Sequence, residues 1–178
     1  DHLVMISPDE GALDRSVYFA SVLGIDMGMF YKRRDYSQII DGMNLIVAHE
    51  YLGTDLAGKD VIIVDDMISS GGSMIDTARD VKERGANRVF IFATFGLFTN
   101  GMKKFDKAYE EGLISRVCTT NLIYQDPELL KRGYFINVDM SKYMSYIIDS
   151  LNHDASISDL LDPSSKIKAL IQRYNAGE

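Results

Sequence analysis

Short apolar runs alternate along the chain with segments of helical periodicity. The apolar runs predict strands at Leu3–Ile6, Met27–Tyr31, Leu45–Ala48, Val61–Val64, Arg88–Thr94, Arg116–Thr119 and Tyr134–Val138. Apolar residues that recur every three or four positions predict helices at Leu13–Leu23, Met74–Arg84, Met102–Glu111, Lys142–Leu151 and Ser164–Tyr174. Because strands that alternate with helices pair in parallel, this order predicts an α/β fold with a doubly wound, mostly parallel sheet flanked by helices.

The chain of 178 residues has no internal repeat, low-complexity tract or clear domain boundary, and we expect residues 1–178 to form a single domain. Residues 32–44 are the polar exception, and we expect them to form a mobile excursion beyond the sheet. The first predicted strand begins two residues after Asp1. A native N-terminus seldom starts so abruptly, so we expect the chain to be part of a longer protein.

The strand at Val61–Val64 ends in two adjacent carboxylates, Asp65 and Asp66, and a polar loop then leads into a helix. Unpaired backbone N–H groups and the helix dipole favour an anion at such a helix start. Glycines allow close backbone approach and serines add donors. The two aspartates would repel a phosphate but suit a pair of sugar hydroxyls, or a metal ion bridging to them. The stretch predicts a sugar-phosphate site, whose loop residues are Ser69, Ser70, Gly71, Gly72 and Ser73.

Two further polar stretches, Ser7–Arg15 and Tyr31–Asp35, also follow predicted strands. Ligands in open α/β sheets bind beyond the carboxyl ends of strands, so Asp9, Lys32 and Asp65 should meet at one edge. Each stretch also has an ordinary explanation when taken alone. Asp9 could cap the next helix, the basic triplet could be a solvated turn, and the acidic pair could belong to a helix-capping loop.

Taken in order and spacing, the three stretches resemble motifs of the ribose-phosphate pyrophosphokinases (5-phosphoribosyl diphosphate synthetases). The stretch beginning S-P-D-E-G resembles their diphosphate loop, K-R-R their catalytic flexible loop, and D-D-M-I-S-S-G-G-S their ribose-5-phosphate loop, which type I phosphoribosyltransferases share. The tail at 138–161 is similar too. The resemblance covers essentially the whole chain, but only the C-terminal half of a two-domain synthetase. Ser69 and Ser70 stand where the family often has Asp and Thr, which removes a carboxylate but keeps a hydroxyl.

The resemblance implies a type I phosphoribosyltransferase-like fold and transfer of the diphosphoryl group of ATP to the C1 hydroxyl of ribose 5-phosphate. It assigns catalysis to Lys32, Arg33 and Arg34, and Mg²⁺ binding to Asp9. The residues that it assigns to ribose 5-phosphate are Asp65, Asp66, Ser69, Ser70, Gly71, Gly72 and Ser73. It also implies a homo-oligomer. Because half of the nucleotide site would lie elsewhere, we expect the 178-residue piece alone to have little synthetase activity.

Two other functions stay open from the sequence. A phosphoribosyltransferase acting on a nucleobase would use the same sugar-phosphate loop, although it has no need of K-R-R or S-P-D-E-G. A non-catalytic, regulatory relative of the synthetase would keep the fold, and the serine at position 69 slightly favours it. The role of Arg15 is also open, because it could reach a phosphate or pair with a neighbouring aspartate.

The composition argues against some classes of binding partner. The formal net charge of -7 argues against nucleic-acid binding, which needs a basic surface. Cys118 is the only cysteine, so no intrachain disulfide can form, and we expect a buried, inert thiol. The sequence shows no apolar run as long as the roughly 18 to 20 residues of a membrane span, and no signal-peptide pattern. We therefore expect a cytoplasmic protein without a membrane partner.

Overall fold

The computed structural model describes residues 2–40 and 43–177, and of residues 32–40 and 43–49 it describes the backbone alone. The strands are β1 (Leu3–Ser7), β2 (Asp26–Ile40), β3 (Met43–Leu52), β4 (Asp60–Ile68), β5 (Val89–Gly96), β6 (Arg116–Thr120) and β7 (Phe135–Val138). The helices are α1 (Leu13–Leu23), α2 (Gly72–Glu83), α3 (Lys103–Glu110), α4 (Pro127–Leu130), α5 (Ser141–Asn152), α6 (Ser158–Leu161) and α7 (Ser164–Ala176), with a 3-10 turn at Glu10–Ala12.

The strands form one sheet in the order β3-β2-β1-β4-β5-β6-β7. Every neighbouring pair is parallel except β2 and β3. From β1 the chain passes through α1 to β2 on one side, whereas from β4 it passes through α2 to β5 on the other. The neighbours β1 and β4 therefore flank the topological switch point, where sheets of this kind bind ligands. The predicted α/β fold, with a mostly parallel sheet flanked by helices, is confirmed.

Alternating side chains of the central strands divide the core between the two faces of the sheet. On β4, Val61 and Ile63 belong to a large cluster that includes residues of α2 and α3. Ile62 and Val64 belong instead to a small cluster with residues of α1. Because helices cover both faces, the sheet is doubly wound. On the α1 side the C-terminal helix α7 packs against α1.

The backbone that the structure describes within 32–44 extends beyond β1, as the sequence predicts, whereas the expected mobility stays a prediction. β1 pairs with β2 only as far as the Ser7–Met29 pair, and beyond it β2 pairs with β3 alone. The segment does leave the sheet, but as an antiparallel two-stranded ribbon, in which Lys32 is opposite His49. In a ribbon at the edge of a sheet, the backbone groups form hydrogen bonds between the two strands, and no buried face is needed. The strands can therefore be polar, and the polar composition gave no strand signal.

The C-terminal helices lie on the surface. None of the residues of α5, α6 and α7 that the structure describes is buried. The hydroxyl of Tyr143 on α5 donates to the carbonyl of Leu160 on α6 at 2.7 Å. Among the described helices, none is long and apolar enough to cross a membrane.

Candidate functional site

The three polar stretches lie at one edge of the sheet, as the sequence predicts. Ser7, the last residue of β1, is paired with Met29, and Lys32 follows three residues later on the same ribbon. On the other side of β1, Ile6 is paired with Ile63, so the backbone of Asp65 also lies past the carboxyl end of β1. The strand register therefore brings the backbones of these stretches together at the switch point.

Asp9 shapes the loop that follows β1. The backbone N–H of Ala12 donates to Oδ1 of Asp9 at 3.2 Å, so this carboxylate caps the 3-10 turn ahead of α1. The buried hydroxyl of Ser7 donates to the carbonyl of Asp9 at 2.7 Å and holds the loop from below. The capping role is thus present, and binding of Mg²⁺ by Asp9 stays a prediction.

The acidic pair is held by a cation from α1. Nη1 of Arg15 donates to Oδ1 of Asp65 at 3.1 Å, and Nη2 of Arg15 lies 3.8 Å from Oδ2 of Asp66. The backbone N–H of Asp66 also donates to Oδ1 of Asp65, at 2.8 Å. Of the two outcomes left open for Arg15, pairing with aspartates is the one that the structure contains.

Burial raises the pKa of Asp65 above its usual value, and the negative charges of Asp66 and Asp9 raise it further. The backbone N–H of Asp66 counteracts this in part. The pKa of Asp65 remains raised although Arg15 forms an ion pair with it. A carboxylate in this setting has an excess of negative neighbours, and a ligand that brings hydroxyl donors or a cation would relieve it.

The Ser/Gly loop delivers the chain onto the N-terminus of α2. Gly71 adopts the left-handed conformation, with φ of 79°, and α2 begins at Gly72. A glycine at the N-cap has no side chain to cap the helix, and the first turn of α2 carries no acidic residue. The start of this twelve-residue helix is therefore arranged as an anion site would be, with its N–H groups and dipole directed toward the loop.

The loop is supported from behind by the segment that follows β5. The backbone N–H of Thr99 donates to the carbonyl of Ser69 at 3.0 Å, and that of Leu97 to the carbonyl of Ile68 at 2.9 Å. A Cβ atom at Gly71 would lie only 2.2 Å from the ring of Phe105, which is fully buried. The position therefore requires glycine for two reasons, its positive φ and the close approach of this ring.

The basic triplet lies on the ribbon. The backbones of Lys32, Arg33 and Arg34 belong to β2, and the register of the ribbon shifts between Arg33 and Arg34, as at a β-bulge. Their side chains lie outside the part of the chain that the structure describes. The prediction that these three residues are catalytic stays a prediction.

Among the described residues, no group of three His, Cys, Asp or Glu side chains is arranged to hold a metal ion. Mg²⁺ does not require such a group, because proteins commonly bind it with one or two carboxylates, several waters and substrate phosphates. Asp9 and Asp65 lie close enough for the charge of one to raise the pKa of the other. Two neighbouring carboxylates beside a helix start arranged as an anion site fit that kind of binding.

A cavity of about 400 Å³ lies on the α1 side of the sheet, next to the acidic pair. Its walls are mostly apolar and include Met5, Phe19, Ile62 and Phe92. Arg15 and Asp65 also line it, so the ion pair forms part of its wall.

Comparisons with known proteins agree with this geometry. A solved structure of phosphoribosylpyrophosphate synthetase from Mycobacterium smegmatis has a similar fold, with a TM-score of 0.70 and 22% identity over 87% of this chain and 46% of that one. The fold is thus of the type I phosphoribosyltransferase-like class. The model of the phosphoribosyl synthetase-associated domain matches residues 49–162, and the chain belongs to that family.

Curated relatives agree with the family. The ribose-phosphate pyrophosphokinase of Vibrio parahaemolyticus is 32% identical over 91% of this chain and 49% of its own length. That of Vibrio cholerae is 33% identical over 89% of this chain and 48% of its own length. The chain spans about half the length of these relatives.

Sequence reasoning missed the supports of the site. It identified Asp65 but left the partner of Arg15 open, because the two residues are 50 positions apart. It placed Phe105 in a helix without relating it to Gly71. The arginine at the end of the first motif was the available signal for the contact between Arg15 and Asp65. The contact between Phe105 and Gly71 depends on how α3 packs, and the local sequence carries no signal of it.

Proposed function

We propose that this chain carries the ribose-5-phosphate site and the catalytic ribbon of a ribose-phosphate diphosphokinase. In the reaction the C1 hydroxyl of ribose 5-phosphate attacks the β-phosphorus of ATP and loses its proton. The bond between the α,β-bridging oxygen and the β-phosphorus breaks, which releases AMP and leaves 5-phosphoribosyl 1-diphosphate. One observation carries the proposal: an acidic pair, an uncapped helix N-terminus and the backbone of a basic triplet converge on one switch point.

Ribose 5-phosphate would bind across the two halves of the loop after β4. Its phosphate would accept hydrogen bonds from the backbone and hydroxyl groups of residues 69–73, at the N-terminus of α2. Its 2′ and 3′ hydroxyls would donate to Asp65 and Asp66, directly or through a metal ion. The raised pKa of Asp65 supports this, because hydrogen-bond donors offset the charge of a crowded carboxylate.

Positioning and electrostatics carry diphosphoryl transfer, since charge spreads over the transferring phosphoryl oxygens. Lys32 would supply a compact point charge, and Arg33 and Arg34 planar forks that bind phosphate oxygens in pairs. All three stand on a ribbon that extends past the carboxyl end of β1, toward the side where the phosphates would lie. Mg²⁺ held by Asp9 would neutralise charge on the diphosphate when bound.

The larger setting belongs to the same proposal. The chain would be the C-terminal half of a two-domain protein that forms a homo-oligomer in the cytoplasm, with ATP and ribose 5-phosphate as its substrates. The match to about half the length of the relatives supports a longer protein of which this chain is one part, and the assignment to the C-terminal half rests on the resemblance. The 178-residue piece alone would then have little activity, because part of the nucleotide site would be elsewhere.

The test is an assay of the full-length protein with ribose 5-phosphate and MgATP, in which AMP and phosphoribosyl diphosphate are measured. Lys32→Ala should lower kcat by about 10²- to 10³-fold, as expected when one charge that stabilises the transition state is removed. Lys131→Ala is the matched control, because Lys131 precedes β7 and lies at the opposite edge of the sheet. It should leave the rate unchanged.

Two other results would identify the alternatives. Diphosphate release that depends on an added nucleobase would make the protein a phosphoribosyltransferase. No product from the wild-type protein, together with stimulation of an active synthetase, would make it a regulatory relative. Equal rates for Lys32→Ala and wild type would contradict the role given to the ribbon.

A further inference from the structure

Neither the resemblance nor the comparisons give Arg15 a role in the site. It stands near the start of α1, on the β1 side of the switch point, and reaches across to the end of β4. Its two terminal nitrogens contact different carboxylates: Nη1 lies 3.1 Å from Oδ1 of Asp65, and Nη2 lies 3.8 Å from Oδ2 of Asp66. A forked guanidinium can bridge two acids in this way, whereas a lysine ammonium meets them as a single point charge.

The surroundings strengthen this contact. Arg15 and Asp65 line the apolar cavity, and their side chains are 32% and 22% exposed, against 56% for Asp66. An ion pair with an apolar wall on one side is screened less by water than a pair on an open surface. The stronger half of the bridge is therefore the one to Asp65, which is also the shorter.

The hydrogen bonds fix the direction of the Asp65 carboxylate. Oδ1 of Asp65 accepts both from Nη1 of Arg15 and from the backbone N–H of Asp66. Two donors converging on one oxygen set the plane of the carboxylate. Without Arg15, Asp65 and Asp66 would repel each other, with Asp9 adding to the negative charge.

We propose that Arg15 is a positioning residue, which holds Asp65 and Asp66 in the orientation that receives the ribose hydroxyl pair. This rests on the proposed function, because it assigns the substrate of that same site. Arg15 acts through the aspartates and does not touch the reacting atoms. Its loss should therefore weaken binding of ribose 5-phosphate much more than it slows the transfer step.

The test uses the full-length protein and two variants. Arg15→Met keeps the apolar body of the side chain and removes the charge. It should raise both the KM and the calorimetric Kd for ribose 5-phosphate roughly tenfold or more, which is the scale of one lost charged hydrogen bond. The KM for ATP should stay within about twofold, and kcat within a few-fold. Arg15→Lys should recover part of the affinity, because one charge returns without the fork.

Arg116→Met is the matched control. Arg116 stands at the start of β6, at the opposite edge of the sheet, and its Nη1 donates to the carbonyl of Ser115. It should leave all three constants unchanged. If Arg15→Met folds poorly, Arg15→Lys alone gives the comparison.

Two outcomes would overturn the inference: an unchanged Kd for ribose 5-phosphate in a folded variant, or a fall in kcat with KM preserved. The wild-type assay tests the proposed function separately. The inference about Arg15 depends instead on the ratio of the Kd values of variant and wild type for ribose 5-phosphate. A wild-type protein that binds ribose 5-phosphate but makes no product would therefore contradict only the function.

Discussion

The two faces of the sheet hold the site by different means. On the side of α2 and α3, Phe105, Ile63 and Ile91 are fully buried in one continuous cluster. On the side of α1 the buried cluster has three residues among those whose side chains the structure describes, a cavity of about 400 Å³ lies beside it, and Phe92 remains 38% exposed. The first face therefore holds most of the buried apolar side chains that the structure describes, whereas the second holds few and borders an apolar cavity.

This difference divides the site into two halves. The loop that we propose to bind the phosphate lies on the side of α2 and α3, where the ring of Phe105 lies against Gly71. Its shape is therefore set before a ligand arrives, which lowers the cost of binding. The acidic pair adjoins the cavity on the side of α1 and depends on the ion pair with Arg15. We expect packing changes to affect the first half and charge changes the second.

The largest expected effect comes from truncating one phenylalanine on each face. Phe105→Ala should lower the free energy of unfolding by about 3–5 kcal/mol, because it removes a fully buried ring and leaves a void in the large cluster. Phe92→Ala should cost about 1 kcal/mol, because that ring is 38% exposed and already borders a cavity. Urea denaturation measures both values. Equal losses would mean that the two faces are not packed differently.

A second pair of changes separates the strain at Gly71 from the contact behind it. Gly71→Ala should destabilise by about 2 kcal/mol or more, because the new Cβ meets the Phe105 ring at a positive φ. Gly101→Ala shares the positive φ, 71° against 79°, but its Cβ would meet nothing within 4 Å. It should cost about 1 kcal/mol. In a Phe105→Leu background, Gly71→Ala should lower the free energy of unfolding by less than it does in the wild type. An equal loss in both backgrounds would argue against the contact with Phe105.

The sequence predicts the order of the elements well and their edges less well. α1 spans Leu13–Leu23 as predicted, because an amphipathic pattern is followed by Gly24, whose φ of 67° ends the helix. The four-residue helices α4 and α6 were missed, since a single turn has no periodicity to detect. Parts of β2 and β3 were predicted, at Met27–Tyr31 and Leu45–Ala48, but the polar part of the ribbon was not, because its residues resemble a loop.

The same limit applies to the site. Motifs read along the chain identify Asp9, Asp65 and the serines of the loop, because their chemistry is local. The contacts that hold them are not local: Arg15 reaches Asp65 across 50 positions, and Phe105 comes from another helix to meet Gly71. Only the fold brings those pairs together.

A third prediction concerns Asp106, which connects α3 to the segment just before β7. Arg132 donates to both of its oxygens at 3.2 Å, and the hydroxyl of Tyr134 donates at 2.7 Å. The hydrogen bonds from Arg132, with that from Tyr134, hold the pKa of Asp106 below its usual value. Its contribution is therefore present above the unfolded pKa of about 3.9 and is lost as the pH falls through the lower folded value.

Asp106→Asn should thus lower the free energy of unfolding by about 1 kcal/mol at pH 7, a modest value because the carboxylate is partly exposed. The difference between variant and wild type should shrink as the pH is lowered through the folded pKa, where the wild-type carboxylate takes up its proton. Urea denaturation at pH 7, and at successively lower pH down to pH 2, measures it. A loss of the same size over the whole range would show that the charge of Asp106 is not its cause.

The smallest expected effect compares neighbours on one strand. Val117 and Cys118 of β6 are 0% and 5% exposed; Val117 belongs to the large cluster, whereas Cys118 lines the cavity. Val117→Ile adds a methylene to a fully buried side chain and should destabilise by about 1 kcal/mol. Cys118→Val also enlarges the side chain, but it grows into the cavity, so its effect should stay within about 0.5 kcal/mol and lean toward stabilisation. If the Cys118 variant were the more destabilised, the cavity would not be available to a larger side chain and the contrast between the faces would fail at its centre.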